Sequence, residues 1–359
     1  MNNTNAKTAE NAAIDINPIP YLTWTWLKIN KDSVSYDFNL SENQGCEVQL
    51  AEGIKASIGK TVTTQLPEPQ FSIGDQAAKL ISDAAPEGKI YTIEKSAEQP
   101  LIIRIKLDSN SATHQIIHAK AGTTANVIIV YESSADSSAL SGVITKVYAE
   151  DDTKLHISKV QLCAKTINQI DDTAVVCGER AKVSLTQIEL GGAHIDAGFH
   201  ATLEGYQSSF YSDTAYICQG NQYLDMNQVV VHKGKKTVCD MKTHGTAKDA
   251  ATKTYRGTID MVKGCAGSKG NEIETTLLLS PKAVVKAAPI ILCGEEDISA
   301  EHGSTIGKLS NKMLFYMNSR GIDQKTAEAL LTNAKVTAAA SAIEDEGIKN
   351  EILEYLNGK

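Results

Sequence analysis

Along most of the chain, apolar and polar residues alternate in short runs that are separated by small polar turns. Strand-like stretches fall at Leu101–Leu107, Asn126–Tyr131, Gly142–Tyr148, Lys154–Leu162, Thr173–Cys177, Lys182–Leu190, Tyr223–His232 and Gly257–Val262. The separators, such as Asp151-Asp152 and Gly191-Gly192, are short. Helical periodicity is absent, and no proline falls between Pro100 and Pro281. The pattern predicts a mainly β body. Spacing alone leaves open whether it closes as a sandwich, a barrel or a stacked parallel β-helix.

The two ends read differently. Residues 1–17 are rich in Asn, Ala and Thr and predict a mobile N-terminus, too poor in large apolar groups to offset the entropy of ordering. From Pro20 to Asn30 the chain carries both tryptophans, Trp24 and Trp26, in an alternating stretch that suits an extended segment packing one face. Gly74-Asp75 opens a short helix over Gln76–Ala85, stopped by Pro86, which predicts a hinge after a small N-terminal domain spanning 18–90. The body is then expected over 91–305 and a helical segment over 306–359. Within that segment Ser310 and Asp323 are N-caps, Gly321 is a stop, and Ala327, Leu330, Leu331 and Ala334 recur at helical spacing.

The chain has 359 residues and a formal net charge of −8, with both signs spread along it. No basic stripe is present for a phosphate backbone, so nucleic-acid binding is disfavoured. No stretch approaches the ~20 apolar residues of a membrane span, and the first residues lack a basic and apolar leader, so a cytoplasmic protein is expected. Seven cysteines without a Cys-x-x-Cys pair fit a reducing compartment, where free Cys is commonly a small buried hydrophobe.

Chemistry is densest where strands give way to helices. Cys293, Glu301 and His302 lie close in sequence, between apolar residues and a helix start, in what reads as strand, polar loop, helix, turn, helix. They predict a thiol, a carboxylate and an imidazole converging without help from distant segments. The string Glu301-His302-Gly303-Ser304-Thr305-Ile306-Gly307, followed by Leu314-Phe315-Tyr316, Ser319-Arg320-Gly321-Ile322 and Ala327 with Leu330-Leu331, resembles the C-terminal signature of the SufB/SufD scaffold family of iron–sulfur cluster assembly. Thr276-Leu277-Leu278-Leu279-Ser280-Pro281-Lys282-Ala283 continues the likeness, which is strong over about residues 225–335.

The resemblance implies a right-handed parallel β-helix body whose open ends are covered by the N-terminal domain and the C-terminal helices. It also implies an exposed strand edge near Leu277–Leu279 or Ile290–Leu292 for a partner scaffold, and a body that folds when the chain is cut after Gly307. The likeness is closest to the D-type subunit, SufD, which pairs with a SufB-like paralogue and SufC-like ATPases in a SufBCD complex. ATP would then be bound by the ATPase and not by this chain. The nascent cluster would form in the complex, with no cofactor held tightly by the lone chain and no turnover of its own.

His302 matches the D-type histidine of cluster assembly, an interface residue or, with Cys293, an iron ligand. Gly303 is D-like where the B-type has a second glutamate. Glu274 stands at the position of the B-type core cysteine, and a carboxylate does not replace a thiolate there. The residues expected to dock the ATPase are Leu314, Phe315, Tyr316, Arg320, Leu330 and Leu331. Two alternatives stand beside this reading: a SufB-like homodimer that assembles the cluster itself, encouraged by Cys293 and Glu301, and a β-helix carbohydrate-active enzyme using acid pairs such as Asp171-Asp172 or Glu295-Glu296, which otherwise read as solvated turns. His232, Cys239 and His244 lack standard zinc spacing and read as successive coils with polar turns. No P-loop, nucleophile elbow or metalloprotease helix is present.

Overall fold

A computed structural model describes residues 13–21 and 25–358. The N-terminal elements are β1 (Ile14–Ile16), a 3₁₀ turn (Thr25–Leu27), β2 (Asp32–Val34), β3 (Ser41–Glu42), β4 (Cys46–Gln49), β5 (Ile54–Gly59) and α1 (Asp75–Ala84). The body follows as β6 (Gly88–Ile93), β7 (Leu101–Lys106), β8 (Ser111–Ala119), β9 (Thr124–Glu132), β10 (Leu140–Ala149), β11 (Lys154–Leu162), β12 (Asn168–Cys177), β13 (Lys182–Glu189) and β14 (His194–Leu203). It continues with β15 (Ser209–Cys218), β16 (Tyr223–His232), β17 (Val238–Ala247), β18 (Thr252–Met261), β19 (Ser268–Leu278), β20 (Val284–Cys293) and β21 (Ile298–Lys308). The chain closes with α2 (Asn311–Ser319), α3 (Gln324–Ala340) and α4 (Glu346–Leu356).

Alternate strands belong to alternate sheets. One sheet runs β20-β18-β16-β14-β12-β10-β8-β6-β5 and the other β21-β19-β17-β15-β13-β11-β9-β7-β4. Neighbours from β6 and β7 onward are parallel, and each residue pairs with one a full coil away. The step is 26 residues from Asn168 to His194 and 32 from Thr252 to Val284. The result is a parallel β-solenoid of about 8 turns. Its inward positions form one continuous core, from Ile103 and Ile117 through Val147, Val175, Phe199 and Val230 to Ile259 and Met261. At the first end β4 and β5 pair antiparallel with β7 and β6 and close both sheets.

Of the two expected end covers, only the N-terminal one is present, as β4 and β5; the rest of that segment and the C-terminal helices lie on the flanks. Helices α3 and α4 lie on the outer face of the second sheet, where Val336, Ala339, Ala340, Ile343, Ile348 and Ile352 meet Val130, Val160, Ile188, Leu190 and Ala215. Arg104 on β7 holds Glu351 of α4 through two hydrogen bonds of 2.5 and 3.0 Å. The helices bury an apolar stripe of the body, so a chain cut after Gly307 would bare it, against the expectation that the body folds alone.

On the other flank α1 packs with Ile14, Ile16, Val34, Ile73 and Ile81 against Ala112, Leu140, Ile144 and Ile170. Here Ile14–Ile16 is a strand and Asn17 is fully buried, donating to Asp225 Oδ1 at 2.7 Å. The N-terminal expectation therefore fails from Ile14 onward, and residues 1–12 lie outside the described residues. Trp24 is also outside them. Trp26 sits in the 3₁₀ turn with 78% of its surface exposed, so it packs no sheet face.

Several strands escape the alternation rule. β15, β17 and β19 are missed because inward positions such as Thr214, Thr243, Glu272 and Glu274 are polar; β14 is missed although Phe199, Ala201 and Leu203 make its inward face apolar. Residues 298–308, expected as a loop, are the last strand of their sheet. Leu277 and Leu278 lie in β19, paired on both sides, whereas Ile290–Leu292 lies on the terminal strand β20. Pro289 within β20 fits an edge position, where a missing ladder donor is tolerated.

The docking of α4 predicts a clear contrast. Ile352→Ala should cost about 2–5 kcal/mol in urea unfolding, as buried Ile truncations do. Phe315→Ala, on a helix that adds no buried residue to a core, should shift the midpoint little. Equal effects would overturn the placement of α4.

Candidate functional site

The second end of the solenoid is uncapped. β20 and β21 are terminal strands, and most residues of β21 are exposed, none buried. Strand parity fixes which side chains line this mouth. On β19, Ser268, Gly270, Glu272, Glu274 and Thr276 face inward and are buried. Register places His302 beside Glu272 and Ser304 beside Glu274, so Ile298, Ala300, His302, Ser304 and Ile306 continue the inward row. Ser304 Oγ donates to Glu274 Oε2 at 2.6 Å, which confirms the direction.

On the facing sheet Ile291 and Cys293 pair with the core residues Ile259 and Met261. Cys293 is exposed and its thiol donates to the Glu295 carbonyl at 3.3 Å. Cys293 and His302 thus open on one mouth from opposite sheets. Glu301, one residue off in parity, faces away, so two of the three expected side chains point inward at this end and the third does not. No third ligand joins them: the one set of three ligating side chains within reach of each other, among the described residues, is Asp32, His194 and Asp196.

Behind the mouth lies a buried polar row that the sequence did not reveal. Lys253 Nζ donates to Glu274 Oε1 at 2.6 Å with both side chains fully buried, and Lys253 stands over the rings of Tyr216 and Tyr255. Glu274 also accepts from the Thr276 hydroxyl. Deeper in, Gln228 Nε2 donates to Thr214 Oγ1 at 3.0 Å. Further still, Lys159 pairs with Asp171 at 2.5 Å while Tyr131 donates to Asp171 at 3.0 Å. Lys159 and Lys253 in otherwise strand-like runs were the signal to read, since a buried lysine demands a partner.

The acid pair Asp171-Asp172 is correspondingly not a solvated turn. Asp171 serves Lys159, and Asp172 accepts the backbone N–H groups of Ser72 and Ile73 at 2.5 and 2.8 Å, pinning the N-terminal segment. Neither carboxylate is available to a polysaccharide. In the second histidine constellation, His232 Nε2 lies 3.2 Å from Cys239 Sγ and its Nδ1 is 2.7 Å from Thr237 Oγ1. Burial holds that imidazole down at about 4 and the thiol up at about 12, so both are neutral. His244 faces the other side, 3.6 Å from Asp213.

The helices past the mouth present the apolar residues expected for docking. Ser310 accepts from Met313 N and Asp323 from Thr326 N, and Gly321 takes φ +79°, so both caps and the stop are present. Phe315 is 75% exposed; Tyr316, Met313 and Leu330 are also exposed, while Leu314 and Leu331 are half-buried. Arg320 stacks over the Tyr316 ring at 5.3 Å. A groove of about 700 Å³, lined by Leu277, Met313, Leu331, Ala334 and Ala338, runs between α3 and the end of the second sheet.

Fold and mouth together define a β-solenoid protein whose distinguishing surface is an unfinished end followed by an apolar helix pair. The family described as "SUF system FeS cluster assembly, SufBD core domain" matches residues 103–335, and the chain belongs to that family. It is 28% identical over 43% of its length to the iron-sulfur cluster assembly protein SufD of Bacillus subtilis, covering 36% of that protein. It is 26% identical over 46% of its length to SufD of Escherichia coli, covering 39%. A chloroplastic SufBD family protein of Arabidopsis thaliana is 25% identical over 75% of this chain, which covers 51% of it. The chain thus spans about a third to a half of the curated relatives it matches. No helix among the described residues is long and apolar enough to cross a membrane.

Glu272 supplies a pH test of the polar interior. Burial above all, with the charge of Glu274 adding, pushes its carboxyl from 4.5 up to about 8. The folded state then holds a proton that the unfolded chain loses, so this group's contribution is present below pH ~4.5 and is lost as pH rises through about 8. Glu272→Gln should therefore gain stability relative to the parent between about pH 5 and pH 8, read from urea midpoints. A pH-independent difference would show that the carboxyl ionises freely in the fold.

Proposed function

We propose that this chain is a D-type scaffold subunit, working with a SufB-like paralogue and a SufC-like ATPase to assemble an iron–sulfur cluster that is then delivered to apoproteins. The observation that carries the reading is the pairing of an exposed His302 on the inward row of the mouth with a Glu274 consumed one coil deeper by Lys253, Thr276 and Ser304. Where the B-type resemblance calls for a free core thiolate, this chain has a carboxylate already committed to internal bonds. The chain supplies an imidazole and the partner supplies the thiolate. Iron and sulfide are cargo of the joint site, and the lone chain has no turnover. Seven free cysteines support a reducing compartment, which we take to be the cytoplasm.

The terminal strands β20 and β21 offer unpaired backbone groups to the paralogue, which would extend both sheets by strand addition. The ATPase docks on α2 and the start of α3, where Phe315, Tyr316 and Leu330 are bare. A homodimeric scaffold is the second reading, favoured by Cys293 and His302 sharing one mouth.

Both readings meet in one measurement, the iron and sulfide content of the anaerobically purified complex. His302→Ala should leave subunit ratios intact and lower cluster content several-fold, with Cys293→Ser milder. A more severe effect from Cys293→Ser would favour the homodimer, and full content in His302→Ala would overturn the half-site. For the ATPase contact, Phe315→Ser should reduce copurification of the ATPase several-fold without changing the fold. Undiminished recovery would place the docking surface elsewhere.

A further inference from the structure

On the outer face of the first sheet, far along the chain from the mouth residues, Asp32 of β2 meets His194 and Asp196 of β14. His194 Nε2 lies 3.1 Å from Asp32 Oδ2 and 3.4 Å from Asp196 Oδ2, and the three ligating atoms are all within 4.8 Å of one another. Bonds of about 2.0–2.2 Å from one ion to a nitrogen and an oxygen put those donors roughly 3.0–3.5 Å apart, which is the spacing found here.

The surroundings lack what a closed network of hydrogen bonds would provide. Asp196 is completely buried, yet beyond the 3.4 Å approach of His194 Nε2 neither of its carboxylate oxygens has a hydrogen-bond partner. Tyr36 stands edge-on to His194 at 5.8 Å, close enough to feel the charges of Asp196 and Asp32, and its buried hydroxyl has no partner either. Next along the sheet, Asp225 pairs with Arg256 and accepts from Asn17, but its second oxygen is also unmet. With His194 neutral, as it must be to ligate a metal, three carboxylates face one guanidinium, a deficit that one divalent cation would balance; without a metal, a protonated His194 makes up part of it. Burying such a deficit without a counter-charge is costly. His194 and Asp32 keep 25% and 16% of their side-chain surface exposed, which leaves an ion a path in and room for a water ligand.

We propose that Asp32, His194 and Asp196 form a binding site for a divalent transition-metal ion that staples the N-terminal segment to the flank of the solenoid. One nitrogen and two oxygens suit zinc, iron(II), cobalt or manganese. The site is separate from the mouth and its cargo. It joins two parts of the chain whose sequence separation, from 32 to 194, gives the staple a long loop to close.

The test is calorimetric titration of chelator-treated full-length chain with Zn²⁺, in a Cys293→Ser background so that the exposed thiol takes no zinc. The parent should bind one Zn²⁺ that is lost, or weakened at least 100-fold, in Asp196→Asn and in His194→Gln. Added zinc should also raise the melting temperature and slow proteolysis of the N-terminal segment in the parent alone. His194→Gln, at a partly exposed position, remains informative if Asp196→Asn fails to fold. No zinc uptake by the parent, or equal stoichiometry and affinity in parent and variants, would overturn the site and leave the triad as an imidazolium held between two carboxylates.

Discussion

The structure depends on one constraint: a coil of this solenoid cannot bury its own interior. Each inward side chain is covered from above and below by its register partner in the neighbouring coils, and each backbone ladder is satisfied the same way. Everything else is a response to what happens where neighbours run out. At the first end, two antiparallel strands complete the sheets. At the second nothing does, and the residues left without a neighbour include the histidine and cysteine of greatest chemical interest. The functional surface is a position in the stack, not a pocket carved into it.

The same constraint explains the polar interior. Lys159, Asp171, Lys253 and Glu274 are held between two sheets with almost no exposure, a placement that is tolerable only because each charge has a partner and further hydrogen bonds. Breaking one such pair strands its partner in the core, so these residues are constrained together. They also set the shape of the site: with Glu274 engaged by Lys253, Thr276 and Ser304, the chemistry left for a partner begins at His302.

How much of this was legible in the sequence differs by element. The helix ends were readable because caps are local, and Ser310, Asp323 and Gly321 do what their side chains dictate. The strands with apolar inward faces, such as Leu101–Leu107, were readable for the same reason. β15, β17 and β19 were not, since their inward Thr and Glu residues are satisfied only by residues a coil away or on the facing sheet. β21 reads as a loop because at the last coil both faces are wet. The resemblance supplied the fold class that periodicity left open. What parity decided, and short-range sequence could not, is that His302 and Cys293 both point inward while Glu301 does not. The Asp32, His194 and Asp196 set was invisible, because it joins segments more than 160 residues apart.

The two flanking segments act as splints laid across several coils. Helices α3 and α4 tie the second sheet from Arg104 on β7 to β17, and the N-terminal segment ties the first sheet as far as Arg256 on β18, whose guanidinium donates to the Ile29 carbonyl at 2.7 Å. β20 and β21 lie beyond both. Opening free energy in a stack is set by what must be disrupted together, so the splinted coils can open only as a block, whereas the last coil can fray alone. Amide exchange would then be graded along the axis, slow through the middle and fast at the final coil. The strands that meet a partner are the ones whose order the partner completes.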